Sequence, residues 1–211
     1  NGFRLSRDSE WHSTQGSLAW RDQQFDKALK HYHLACCLNP ANERHIHSYI
    51  SAARIRNSLD SALGFLQARY RRMGQYGTEP GTALVRALVE ANRHEEALSV
   101  LMEVLDSHSE DGELLLFAAS HLQGINRLDE AHTMLARAEK RARRSAWLNG
   151  MARQAELEGH RDQAVEHYRE LLTHDRTDLD AHRFISAHLE ESEGKTSALD
   201  YLKRVVAESL E

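Results

Sequence analysis

The amino-acid sequence predicts an all-α protein, a right-handed superhelical solenoid of antiparallel helix pairs. Two observations support this fold class. A short motif centred on an alanine recurs six times at nearly constant spacing, which is typical of stacked helical repeats. Proline occurs only at Pro40 and Pro80 in the 211 residues, and so few chain breakers favour long helices over a fold rich in tight turns.

The repeated motif places alanine at residues 28, 62, 97, 131, 164 and 198, with separations of 34, 35, 34, 33 and 34 residues. A large side chain follows four residues after each alanine, and a mostly apolar one follows after seven. These spacings place the three side chains on one helix face. Twelve residues before each alanine lies a mostly small residue, as expected where two helices cross closely: Gly16, Ile50, Val85, Ala119, Ala152 and Ser186. Repeats 2 and 3 are the least regular.

The spacing predicts one array over residues 1–211, with a pair of helices in each repeat. The repeats are expected near 9–42, 43–77, 78–111, 112–144, 145–178 and 179–211. First helices are predicted near 9–22, 43–56, 79–92, 112–124, 145–158 and 178–192, and second helices near 25–38, 59–72, 94–107, 128–142, 161–174 and 195–210. A bend is expected at residues 74–77, and Gly159 suits a left-handed helix end. Four aspartates are expected to cap second helices, namely Asp26, Asp60, Asp129 and Asp162.

These positions resemble the tetratricopeptide repeat family, whose unit is a helix–turn–helix of about 34 residues. Repeat 1 matches the family pattern best, with Gly16, Ala28, Tyr32, Ala35 and Pro40 at its signature positions. The resemblance covers roughly residues 9–211. It implies that the first helices line a concave surface on which ligands lie. An excess of arginine over lysine, 22 to 5, favours a bacterial source.

The resemblance maps seven candidate partner-binding residues onto that concave surface: Arg44, His47, Arg54, Arg86, Asn149, Arg153 and Arg183. Acidic residues share it, at Glu79, Glu113, Glu156 and Glu190. Chaperone-binding members of the family hold a carboxylate with Lys and Asn, but Ser13 and Ser17 occupy the corresponding places in repeat 1. Binding of a chaperone tail is therefore disfavoured.

Catalysis, cofactors and metals are not predicted. The sequence has no Gly-rich phosphate loop, GxSxG turn or HExxH motif. None of its 14 histidines is four residues from another, so no helical metal pair is expected and the histidines are interpreted as solvated. The adjacent Cys36 and Cys37 diverge on a helix and are expected to be reduced.

The charge distribution also limits the class of partner. A net charge of −5 argues against a general nucleic-acid binder. Two basic clusters are interpreted as complementing the negative ends of second helices: Arg69, Arg71 and Arg72, and Arg137, Lys140, Arg141, Arg143 and Arg144. The second cluster is alternatively a patch for an anionic partner.

The sequence thus predicts a protein–protein interaction scaffold or adaptor that binds a protein or peptide segment, with acidic side chains expected on the partner. Two alternatives stay open: a substrate-recruitment region of a larger enzyme such as a glycosyltransferase, or a peptide-sensing regulator. The sequence has no run of about 18 apolar residues, so no transmembrane segment is predicted. The absence of a disulfide framework favours the cytoplasm, and a periplasmic location stays open.

The last predicted helix carries more apolar residues than one hairpin needs: Leu199, Leu202, Val205, Val206 and Leu210. Repeat arrays normally end in a helix with a polar outer face. We therefore expect either that the natural protein continues beyond residue 211 or that this end self-associates.

Overall fold

The computed structural model describes residues 2–40 and 42–208, with the side chains of 4–40 and 42–207. Within these residues it contains α-helices and one short 3₁₀ helix, and no strand, which confirms the all-α prediction. The α-helices are α1 (Gly2–Arg21), α2 (Phe25–Leu38), α3 (Glu43–Ile55), α4 (Leu59–Met73), α5 (Glu79–Glu90), α6 (His94–Ser107), α7 (Gly112–Gly124), α8 (Leu128–Ala138), α9 (Arg144–Leu157), α10 (Arg161–His174), α11 (Leu179–Glu193) and α12 (Lys195–Glu208).

The helices form consecutive hairpins, from α1 with α2 to α11 with α12. The chain divides into two compact units between Ser109 and Glu110, so each unit holds three hairpins. In the first unit α3 packs on α2 and on α5, and α4 packs on α5. In the second unit α7 and α8 pack on α9, and α10 packs on α11. No described helix is long and apolar enough to cross a membrane.

The six repeated alanines are all buried, none more than 5% exposed. The motif therefore lies in the core of the repeats, as the sequence predicts. The small residue of repeat 1 shows why the contact between the two helices of its hairpin is close. A Cβ atom at Gly16 would lie 2.6 Å from Cε1 of Tyr32 on α2, so a larger residue there would have to displace the ring.

Two helix boundaries differ clearly from those predicted. Helix α1 begins at Gly2 rather than near residue 9, because the repeat pattern cannot register residues that precede the first repeat. Helix α8 ends at Ala138, not 142. The expected bend at 74–77 contains a 3₁₀ helix, Gly74–Tyr76. The predicted end of the last helix, with Leu210, lies outside the described residues.

Each hairpin turn contains a residue in the left-handed region of backbone space. These residues are Gln23, Asn57, Asn92, Asn126, Gly159 and Gly194, with φ between 51° and 95°. The prediction for Gly159 is confirmed. Four of the other turns lack glycine: three use asparagine, which tolerates this conformation through its short polar side chain, and one uses Gln23. The fifth uses Gly194, which the sequence analysis did not single out.

The four aspartates lie in the first turns of second helices, as predicted, but the expected side-chain caps do not form. Asp26 and Asp60 are the second residues of their helices rather than the N-caps, and no side chain caps these helix starts. Each of these two aspartates instead pairs with an arginine from the turn of the next hairpin. Arg56 Nη2 lies 2.9 Å from Asp26 Oδ1, and Arg93 Nη1 lies 3.3 Å from Asp60 Oδ1.

A buried histidine lies near the junction of the first two hairpins. His45 on α3 is only 1% exposed, and its Nε2 lies 3.3 Å from Ser9 Oγ and 3.5 Å from Glu10 Oε1. Its Nδ1 has no hydrogen-bond partner among the described residues. The interpretation of all histidines as solvated is therefore wrong here. Burial lowers the pKa of His45, and nearby Glu10 only partly opposes this shift.

The turns give a first prediction. Gly159→Ala should lower the free energy of unfolding by about 1–2 kcal/mol, because a left-handed conformation costs an alanine about that much. No atom lies within 4 Å of the new Cβ, so the loss is one of backbone conformation. Gly64→Ala is the matched control: it is also free of neighbours within 4 Å, but it lies inside α4 and should stabilise by about 0.5–1 kcal/mol. Urea unfolding measures both changes, and effects of the same sign would contradict the analysis.

The buried histidine gives a second prediction. A pKa below the ordinary 6.5 in the folded state means that the unfolded chain takes up a proton first as the pH falls. Stability should therefore be fully present above about pH 6.5 and decrease below it. Burial lowers the pKa of His31 and His33 as well, so His45→Gln should reduce this pH dependence without abolishing it. An unchanged dependence between pH 7 and 5 would contradict a buried neutral imidazole at this position.

Candidate binding surface

In the first unit, the predicted partner-binding residues lie on two first helices that pack side by side. Arg44, His47 and Arg54 are exposed on α3, and Arg86 is half-buried on α5. The separations on α3 are three and seven residues, which place the three side chains on one face of the helix. The structure thus brings these four residues to neighbouring helices.

Carboxylates and a carbonyl group of the same two helices contact this set. His47 Nδ1 lies 2.7 Å from Glu90 Oε1, and Arg54 donates a hydrogen bond to the Glu90 carbonyl oxygen. Arg86 Nε lies 3.0 Å from Glu43 Oε1. Sequence reasoning missed Glu43 and Glu90, because their proximity depends on how α3 and α5 pack. In the first unit, His47, Arg54 and Arg86 therefore already have polar partners within the chain, so the surface is more than a simple arginine excess.

In the second unit, the predicted residues lie on α9 and α11. Asn149 is half-buried and Arg153 is exposed on α9, and Arg183 is exposed on α11. Arg183 Nη2 lies 3.0 Å from Asp180 Oδ1 of the same helix. Glu156 accepts a hydrogen bond from the hydroxyl group of Tyr168, and burial followed by this hydrogen bond raises the pKa of Tyr168.

A buried amide network lies beside Asn149. Gln123 Nε2 donates to the Gly150 carbonyl oxygen at 3.0 Å and to Gln154 Oε1 at 3.1 Å. Gln154 Nε2 in turn donates to the Leu128 carbonyl oxygen at 3.0 Å. Buried polar groups are costly unless they are hydrogen-bonded, so this network fixes α7 against α9. Sequence reasoning gave no signal for it.

The second basic cluster does not lie at the end of a helix, because α8 ends before most of its residues. Arg141 Nη2 lies 2.5 Å from Glu110 Oε2, and Arg143 Nε lies 3.1 Å from Glu113 Oε1. Arg144, the first residue of α9, pairs with Glu170 and covers the Trp147 ring at 4.4 Å. These three arginines thus pair with carboxylates, whereas the sequence predicted that they complement the negative end of a second helix. In the first cluster, Arg71 and Arg72 do lie in the last turn of α4.

Cys36 is buried and Cys37 is half-buried, and the two sulfur atoms are not bonded to each other. Cys37 Sγ lies 3.5 Å from His33 Nε2, a pairing four residues apart that sequence reasoning overlooked. Burial raises the pKa of both thiols, that of Cys36 to about 12, so neither is an activated nucleophile. Within the described part of the chain, no group of three or more His, Cys, Asp or Glu side chains could hold a metal ion.

Comparison with known families and structures identifies the architecture. The model of a family described as tetratricopeptide repeat matches residues 84–153. The sequence match to this family therefore covers residues 84–153. A comparison with curated protein sequences finds no match.

Several solved tetratricopeptide repeat structures share the fold. The thermophilic protein TTC0263 of Thermus thermophilus is 21% identical with a TM-score of 0.57, over 86% of this chain and 99% of that one. A protein from Parabacteroides merdae is 14% identical with a TM-score of 0.58, over 95% and 80%. YrrB, described as having an unusual peptide-binding site, is 16% identical with a TM-score of 0.50, over 81% and 88%.

Tetratricopeptide repeat proteins generally act as scaffolds for protein–protein interaction, and the match over residues 84–153 supports that broad class for this chain. The repeats explain the fold through the contacts described above, since the signature residues pack hairpins together. They do not by themselves specify a partner.

Proposed function

We propose that the exposed first-helix faces bind a protein or peptide segment that bears acidic side chains. The observation that carries this proposal is the placement of Arg44, His47 and Arg54 along one exposed face of α3, beside Arg86 of α5. Arginine presents planar, paired N–H donors that match a carboxylate in two parallel hydrogen bonds.

Binding at this surface requires an exchange of partners. Glu90 and Glu43 already contact His47 and Arg86. Solvent-exposed ion pairs are worth only about 0–1 kcal/mol, so a carboxylate of the partner can replace an intrachain carboxylate at little cost. The intrachain pairs meanwhile hold the arginine side chains near their bound positions, which reduces the entropy lost on binding.

The second unit contributes a different kind of contact. Exposed Arg153 and half-buried Asn149 lie one helical turn apart on α9. An asparagine amide both donates and accepts hydrogen bonds, which suits the backbone of an extended peptide, and Arg153 suits an acidic side chain. YrrB, whose fold this chain shares, supports a peptide as the class of partner.

Charge reversal tests the proposal. A displayed library of acidic, neutral and basic peptides identifies binders, and their affinity is then measured for Arg44→Glu and Arg153→Glu, one variant for each unit. Each reversal should weaken acidic peptides by about tenfold or more, which is about 1.4 kcal/mol, and added salt should weaken them further. Glu90→Gln should strengthen binding, because it removes a competing carboxylate.

Arg72→Glu is the control, because Arg72 is also exposed but lies on a second helix. It should leave the affinity unchanged, and all variants should keep the helicity of the parent. Binding that survives both Arg44→Glu and Arg153→Glu, or that weakens equally in Arg72→Glu, would overturn the assignment of the surface.

Self-association through α12 is a separate proposal. Leu199 and Leu202 are 56% and 40% exposed on this helix. Their counterparts on α10, Val165 and Tyr168, are buried. Predicted contact residue Leu210 lies outside the described part of the chain.

A further inference from the structure

Helices α1 and α12 expose faces that the other hairpins bury. The residue that lies 17 places before the repeated alanine is Trp11 in α1. In four later first helices the same place holds His45, Leu114, Trp147 and Ala181. Those four counterparts are buried, whereas Trp11 is 55% exposed. Leu18, seven residues further along α1, is also exposed, although its counterparts Ala52, Ala87 and Gln154 are buried.

The complementary face is on α12. Leu202 is the residue four places after the repeated alanine, and its counterparts in the other five repeats are at most 8% exposed. Those counterparts are Tyr32, Leu66, Leu101, Leu135 and Tyr168. The repeat spacing therefore marks Leu202 as a position that a following first helix covers elsewhere in the chain.

The second unit shows how these two positions meet. Trp147 of α9 packs on α8 and donates its indole N–H to the Leu135 carbonyl oxygen at 2.8 Å. Trp147 is the counterpart of Trp11, and Leu135 is the counterpart of Leu202. The junction of α8 and α9 is thus a template, within this chain, for a contact between α12 and α1.

A first-helix residue lies beside this contact, at the position of Gly150 in α9. Its size differs between repeats, and the first helix still packs on the preceding second helix. A Cβ atom at Gly150 of α9 would lie 2.7 Å from Leu135 Cδ2. The corresponding residue of α11 is Phe184, whose ring packs against Tyr168 at 5.2 Å between centroids. In α1 the corresponding residue is Thr14, which is intermediate in size, so α1 can cover a leucine at this position.

We propose that the α12 face of one copy is covered by α1 of a second copy, with Trp11 placed on Leu202 as Trp147 is placed on Leu135. The inference rests on the proposal of self-association through α12 and names the surface that α12 contacts. Because the two faces differ, the contact is head-to-tail, and it leaves an unused face at each end on which further copies can add.

Mass measurement in solution tests this arrangement with the 211-residue chain. Sedimentation velocity from micromolar to near-millimolar concentration should show masses above that of one chain. Trp11→Glu and Leu202→Glu should each remain single chains, because these are the two side chains that the proposal places in contact. Leu34→Glu is the control, since Leu34 is 43% exposed on α2, and it should associate like the parent. Circular dichroism should show equal helicity in all four proteins.

Mixing the two variants gives the decisive result. The Trp11→Glu chain keeps an intact α12 face, and the Leu202→Glu chain keeps an intact α1 face. An equimolar mixture should therefore form a species of two chains and nothing larger. A parent chain that stays single at all concentrations would overturn self-association itself. A Trp11→Glu chain that associates like the parent would overturn the role of α1 alone, and neither outcome bears on peptide binding by Arg44 or Arg153.

Discussion

The close crossing of two helices at a buried alanine is the constraint on which each hairpin depends. The alanines at 28, 62, 97, 131, 164 and 198 are almost inaccessible to solvent, and short side chains let the helix backbones approach. A close crossing needs a tight connection, which each hairpin obtains from a left-handed residue in its turn. The same packing leaves one face of each first helix exposed, and the variable charged residues lie on those faces.

The alanine spacing made the fold predictable, because burial at the crossing restricts the residue type strongly. The helix ends were less predictable. Turns that use Asn57 and Asn92 lack the glycine that sequence reasoning recognises, and the early start of α1 precedes the first repeat. Asp26 and Asp60 were misassigned as caps, since their contacts with Arg56 and Arg93 come from the next hairpin along the chain.

The candidate surface was predictable in position but not in chemistry. Repeat counting places Arg44 and Arg86 on first helices, because their places are fixed by distance from the alanine. The pairing of Arg86 with Glu43 follows from the packing of α3 on α5, which the sequence does not state. Histidine side chains are usually half-exposed, so the residue type does not predict the burial of His45. Its burial follows from its position near the junction of the first two hairpins.

Substitution at the crossing tests the central claim most directly. Ala131→Leu should lower the free energy of unfolding by about 1–3 kcal/mol through overpacking, since Ala131 is 0% exposed. Ala136→Leu on the same helix is the matched control: Ala136 is exposed, and surface changes are usually within about 0.5 kcal/mol. Urea unfolding of the two variants should separate them clearly. Equal stability of Ala131→Leu and Ala136→Leu would contradict the close crossing as the basis of the hairpins.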